Sequence, residues 1–235
     1  MHFSNSSAAV RDVNNKEGIV VINKPAGITS HDVVARVRRV FKMKKVGHAG
    51  TLDPLATGVL VILLGKSTKL SDEFIAFDKA YRATLRLGIK TASADIMGQE
   101  LERKPYDGID AAKVADVFLK FIGDIEQLPP MVSAVKHQGE RLYKLAREGR
   151  MVERTPRKVR INELRVLGSQ LPDVEFFMAC SKGTYVRQLA EDVGDVLGCG
   201  ACISQIERVK VGPFDIKDAV RLEDLNEGHI RNWKP

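Results

Sequence analysis

At 235 residues the chain is long enough to bury a sizeable core without disulfide or metal staples, and 44% hydrophobic against 29% charged residues excludes a disordered or fibrous protein. The formal charge of +7 points toward a polyanionic partner. The longest aliphatic run, Val59 to Leu64, falls far short of the roughly 20 residues of a membrane span, and no signal-like segment opens the chain, so a cytoplasmic protein without membrane contact is expected.

Residues 1–16 are rich in Ser, Asn and Lys without periodicity and read as a mobile arm; one domain is expected over residues 17–235. A strand over Ile19–Ile22 ends in the turn sequence Lys24-Pro25-Ala26-Gly27. Ser30 is the expected N-cap of a helix with Asp32 in its first turn. Its apolar stripe is Val33, Val34, Val37, Val40 and Phe41, and Arg36, Arg38, Arg39 and Lys42 lie outside that stripe. Residues Gly47 to Gly58 carry three glycines and a proline and read as a structured loop, followed by a buried strand over Val59–Leu64. Apolar residues alternate with Arg82, Thr84 and Arg86 from Tyr81 to Ile89, the period of a half-buried strand. Asp110–Ile122 is an expected helix stopped at Gly123, and Val174–Ala179 an expected strand. Val186, Leu189, Ala190, Val193 and Leu197 form the stripe of a helix stopped by Gly198. Helices and strands mix without a strict βαβ rhythm, so the fold class is α+β: a mixed, largely antiparallel sheet flanked by helices.

Charge is unevenly placed. Between Lys136 and Arg160 stand nine basic residues and three acids, a local +6 that fits a surface tracking phosphates better than a solubility device. Cys180, Cys199 and Cys202 are too few for a disulfide framework, and the single C-x-x-C lacks the second ligand pair of a zinc site, so neither metal nor redox chemistry is expected. Gly65-Lys66-Ser67 resembles the end of a P-loop, but Leu60 stands where its glycine belongs. The loop Gly47-His48-Ala49-Gly50-Thr51-Leu52-Asp53-Pro54 gathers a carboxylate, an imidazole and a hydroxyl in a glycine-rich frame beside a buried strand. It reads equally as a site held on a rigid scaffold or as a turn capped by Asp53.

The stretch Lys45-Val-Gly-His-Ala-Gly-Thr-Leu-Asp-Pro-Leu-Ala-Thr-Gly-Val-Leu resembles the catalytic motif of the TruB-type tRNA pseudouridine-55 synthases. The likeness extends to Asn23-Lys24-Pro25-Ala26-Gly27, to Lys79-Ala-Tyr-Arg, to the run from Leu128-Pro-Pro-Met through Ala146-Arg-Glu-Gly, and to Cys180-Ser-Lys-Gly-Thr-Tyr-Val-Arg, in the family's order across residues 19 to 220. The resemblance implies a pseudouridine synthase fold with a basic inserted thumb loop over residues 127–157. It also implies isomerisation of uridine 55 in the TΨC loop of tRNA, without metal or organic cofactor and without an obligatory protein partner. A monomer is the default expectation.

On this resemblance Asp53 is the nucleophile, attacking sugar C1′ or base C6, a choice the sequence leaves open. Arg187 matches the arginine paired with it, and Tyr81 the tyrosine that packs on the target base. His48 matches the histidine that fills the gap of the flipped nucleotide, and Tyr185 and Ile206 match further substrate-pocket positions. Lys24, Lys136, Arg141, Lys144 and Arg147 are the expected RNA contacts. The chain departs from the family at Glu207, where a basic residue is usual, and the residues after position 220 are too few for the PUA-type domain of many bacterial members. The rivals are a non-catalytic RNA-binding module, which has no chemical need to keep Asp53, Tyr81 and Arg187 together, and a ribosomal RNA synthase, which the thumb-like insertion disfavours.

Overall fold

A computed structural model describes residues 16–133 and 135–233, without the side chains of Lys136, Arg141, Tyr143 and Arg147. Nearly all of the expected arm therefore lies outside the described residues. Lys16 donates to the Phe41 carbonyl and pairs with Glu227 at 2.7 Å.

Strand β1 (Gly18–Lys24) leads to helix α1 (Ser30–Phe41), short strand β2 (Val46–Ala49) and β3 (Thr57–Leu64). Helix α2 (Ser71–Ala76) precedes the long strand β4 (Lys79–Leu87) and a separate hairpin, β5 (Ile89–Thr91) with β6 (Glu100–Arg103). Helix α3 (Ala111–Leu119) and strand β7 (Gly123–Gln127) come before the stretch expected to be the thumb, which holds a small hairpin of β8 (Lys136–His137) and β9 (Glu140–Arg141) that runs into helix α4 (Leu142–Arg147). Strands β10 (Arg157–Gln170) and β11 (Asp173–Cys180), helix α5 (Val186–Leu197) and strand β12 (Ala201–Val211) complete the main body. The short strands β13 (Phe214–Asp215) and β14 (Val220–Arg221) follow.

Ten strands form one sheet in the order β14-β1-β3-β12-β4-β11-β10-β7, with β2 beside β3 and β13 beside β12. Pairing is antiparallel except at β1–β14 and β3–β12. The β3–β12 contact is short, joining Glu207 to Thr57 and Arg208 to Gly58, and it is the seam between two half-sheets. Backbones close tightly there: a Cβ on Gly58 would stand 2.3 Å from the Arg208 carbonyl oxygen, and its φ of +98° suits only glycine.

Both faces of β3 are covered, which explains its unbroken apolar run. Val20, Ile22, Leu60 and Ile62 meet the α1 stripe on one face, while Val21, Val59, Val61 and Leu63 pack near Phe74, Phe214 and Trp233 on the other. The other half-sheet buries Leu85, Phe176 and Met178 under Phe118 of α3 and Leu189 and Val193 of α5. Each fully buried aliphatic side chain contributes about 1.5–3 kcal/mol, so these layers supply the main stabilisation. Ile206 packs against both clusters, at the seam.

Several boundaries differ from expectation. Thr29, not Ser30, caps α1 in a reciprocal capping box with Asp32, because Ser30 is drawn inward to bond the Leu52 backbone. Val40 is partly exposed at the edge of the stripe. Pairing with β3 turns the first residues of the expected loop into β2. Helix α3 stops at Leu119, three residues early, and Gly123 starts a strand. Strands β10 and β12 were not expected from periodicity.

Candidate active site

The loop between β2 and β3 carries Asp53 over the seam, and hydrogen bonds from four residues, Ser30, Gly27, Lys24 and Arg208, brace it. Ser30 Oγ accepts from the Leu52 amide at 2.9 Å and donates to its carbonyl at 3.1 Å. The Gly27 amide donates to the Pro54 carbonyl at 2.8 Å. Lys24 donates from Nζ to the carbonyls of Pro25 and Ile28 at 2.9 and 2.7 Å, and more distantly to Pro54 at 3.5 Å. Arg208 donates from Nε to the Val59 carbonyl at 2.8 Å and through a terminal nitrogen to that of Gly50 at 3.0 Å.

Lys24 corrects the sequence reading. It was expected to meet RNA, but its relative exposure is 0% and its donors are spent on loop carbonyls, so it braces the Asp53 loop from within. Burial pulls its ammonium down to about 8, against the opposing pull of Asp53. Arg208, 2% exposed, was not foreseen at all; burial lowers it too, against the opposing pull of Tyr81 and Asp53.

Helix α5 brings Arg187 to Asp53 from 134 positions away: Arg187 Nε donates to Asp53 Oδ2 at 2.9 Å. Its terminal nitrogens donate to the carbonyls of Ser93 and Val132 at 2.6 and 2.8 Å, and Asp95 lies 3.8 Å from Nε. Arg187 is thus buried, 4% exposed, with every nitrogen engaged, whereas 43% of the Asp53 side chain remains accessible. The second carboxylate oxygen accepts no hydrogen bond among the described residues. Asp53 thus rests one oxygen on a fixed cation and turns the other toward the open cleft.

Tyr81, on β4, lies under the same cleft. Burial pushes its phenol up to about 12, with Arg208 pulling the other way, so it stays neutral at physiological pH. Tyr185 precedes α5 and is gripped by Gln127, a buried residue that sequence reasoning missed. Gln127 Oε1 accepts from the Tyr185 amide at 2.8 Å, and Gln127 Nε2 donates to the Tyr185 carbonyl at 3.1 Å.

Together Asp53, Tyr81, Arg187, His48, Tyr185 and Ile206, all expected from the sequence, line one cleft of about 560 Å³. His31, not expected there, also lines it and meets the His48 ring edge-on at 5.5 Å. Among the described residues no His, Cys, Asp and Glu group could hold a metal ion, and all three cysteines are buried.

The RNA contacts expected on the thumb are described only in part. Lys144 is exposed on α4; the side chains of Lys136, Arg141 and Arg147 lie outside the described residues. Part of the local charge is internal, since Arg154 donates to the Pro129 carbonyl, Arg150 approaches Glu140 and Glu148, and Arg160 pairs with Asp124. Met131, Leu142 and Leu145 give the thumb a small core of its own.

Comparison with known proteins places these residues in a family context. Residues 38–186 match the model described as TruB family pseudouridylate synthase (N terminal domain), and 187–233 match tRNA pseudouridylate synthase B C-terminal domain. The chain is 49% identical to tRNA pseudouridine synthase B of Syntrophotalea carbinolica over 208 residues, 88% of this chain and 68% of that one. It is 48% identical to the protein of the same name from Geobacter sulfurreducens, over 90% of this chain and 69% of that one. Among solved structures it resembles one titled a Cbf5-Nop10-Gar1 complex, with 31% identity and a TM-score of 0.70, covering 88% of this chain and 53% of that chain. The chain thus spans about half the length of that solved neighbour.

Proposed function

The chain belongs to the TruB family of pseudouridylate synthases, and from that premise we propose that it converts uridine 55 in the TΨC loop of tRNA to pseudouridine. The reading rests on one observation above all: Asp53, with an open carboxylate oxygen, and Arg187, buried behind it, meet in a cleft floored by Tyr81.

In the proposed reaction the target nucleotide is extruded from the RNA stack into the cleft, His48 fills the space it leaves, and Tyr185 and Ile206 pack around the base. Asp53, oriented by Arg187, attacks C1′ or C6 as nucleophile, and the bond it forms breaks again as the product glycosidic bond is made. The N1–C1′ bond breaks, the base turns, and C1′ rejoins at C5; C5 loses a proton and N1 gains one. Substrate and product are isomers, so the reaction consumes no oxidant, reductant or cofactor. Tyr81 packs beneath the base, and its high pKa makes it a hydrogen-bonding phenol before it is a base. Lys136, Arg141, Lys144 and Arg147 of the thumb grip phosphates of the T arm. The enzyme acts as a cytoplasmic monomer on tRNA directly.

The test is incubation of the purified chain, alone, with an unmodified tRNA transcript, followed by mapping of pseudouridine through carbodiimide-dependent primer extension. A stop at position 55 is expected. No pseudouridine at any position, or pseudouridine in a ribosomal RNA fragment but not in tRNA, overturns the proposal.

A further inference from the structure

Helix α1 carries a second concentration of positive charge that the thumb does not explain. Between His31 and Lys45 stand six basic residues and one acid, a local +5. Arg36, Arg39 and Lys42 recur every third residue and are exposed opposite the buried Val33, Val34, Val37 and Phe41, and Lys44 and Lys45 are exposed just beyond. Two other charges are spent locally: Arg38 donates to the Val46 carbonyl, and Asp32 is locked into the capping box.

None of Arg36, Arg39, Lys42, Lys44 or Lys45 has a carboxylate within ion-pair distance among the described residues. Surface arginines elsewhere commonly do, as in Arg82–Glu175, Arg165–Glu163 and Arg221–Asp224. Like charges at helical spacing repel. The stripe carries that repulsion with no internal compensation, as a surface awaiting an anionic partner would.

Its position identifies the partner. The first turn of α1 brings His31 to the rim of the catalytic cleft, against His48, and the chain returns through Lys44 and Lys45 into the strand that bears His48. From that rim the stripe extends along a helix about 18 Å long. The apolar face of α1 is buried in the core apart from the partly exposed Val40, too little to insert into a lipid surface, and an exposed row of arginines and lysines without aromatic anchors suits backbone phosphates rather than a protein hot spot.

We infer that the exposed face of α1 is a second RNA-docking surface, holding the phosphate backbone of the strand that leads to the extruded nucleotide, independently of the thumb. The inference rests on the reading that the cleft takes RNA. Binding here is sequence-independent and salt-sensitive, and it loads the cleft without touching the chemistry.

The test replaces Arg36, Arg39, Lys42 and Lys44 together by Gln, a good helix former that keeps the stem length and removes the charge. Affinity for an unmodified tRNA transcript is measured across a salt series, beside the single-turnover rate at saturating RNA. The log–log salt slope is expected to flatten by about 2 to 4, at about 0.7–0.9 for each lost phosphate contact, with the saturated rate within a few-fold of wild type. In wild-type protein, bound tRNA is expected to protect Lys42, Lys44 and Lys45 from amine acylation, a measurement that needs no variant. An unchanged slope, or acylation of these lysines unaffected by tRNA, overturns the inference; so does loss of binding to anionic vesicles without loss of tRNA binding. If the slope flattens but wild type makes no pseudouridine, the docking surface stands and the proposed reaction falls.

Discussion

Replacing Arg187 by lysine separates the positioning of Asp53 from the identity of the nucleophile. The guanidinium holds three acceptors at once, the Asp53 carboxylate and the Ser93 and Val132 carbonyls, and it does so while buried. A lysine ammonium keeps the charge but not the fork, so at least one of the two carbonyls loses its donor, at about 1–3 kcal/mol for a buried unsatisfied group. The ion pair adds less than a fully buried one, because Asp53 is 43% accessible and partly screened by solvent. The expected loss is therefore about 2–4 kcal/mol, which for a chain of this size lowers Tm by about 5–15 °C. At a temperature where the variant remains folded, the single-turnover rate with saturating tRNA is expected to fall at least about 100-fold, as for a catalytic group displaced by about 1 Å. The assay pairs thermal denaturation with rapid-quench measurement of pseudouridine on one transcript. A folded Arg187→Lys enzyme turning over within threefold of wild type would refute the reasoning, since Asp53 would then need no guanidinium to hold it.

Asp53→Asn is nearly isosteric and is expected to fold and bind tRNA with wild-type affinity while forming no pseudouridine; substantial turnover by a purified preparation would remove Asp53 as nucleophile. Replacing Lys136, Arg141, Lys144 and Arg147 together by Ala is expected to flatten the salt dependence of tRNA binding by about 3 log–log units while the saturated rate falls far less than in Asp53→Asn; an unchanged slope excludes the thumb from the RNA interface. Lys24 gives a pH signature. Its folded value near 8 lies below the ordinary 10.5, so folded protein binds fewer protons than unfolded chain between these values, and the penalty for burying the charge, full below about pH 8, is relieved as pH rises. Lys24 should add about 1.5 kcal/mol of stability between pH 8 and 9.5, and denaturant titrations of Lys24→Met should show a shallower rise; parallel curves for the two proteins would show that Lys24 is not buried as a charge.

Much of the fold was written locally. The alternation from Tyr81 onward became β4, the unbroken run at Val59–Leu64 became the doubly covered β3, and the stripe from Val186 to Leu197, closed by a glycine at φ +83°, became α5. Those signals survive because period and capping depend on near neighbours alone. The motif around Asp53 was legible too, as were Tyr81, Arg187, Tyr185 and Ile206 in the blocks that resemble the family, and the structure gathers them in one cleft. What sequence could not supply is which charged residues turn inward. Lys24 and Arg208 carry the composition of surface groups, and only tertiary structure decides that they are buried, because the carbonyls that accept from them belong to a loop and a strand up to 158 positions away. Gln127 escaped notice for the same reason, its amide being matched to the Tyr185 backbone 58 residues on. A buried polar side chain is stable only where remote backbone groups converge to satisfy it, and that convergence is set by the β3–β12 seam and the path of α5, neither of which any local window of the chain contains.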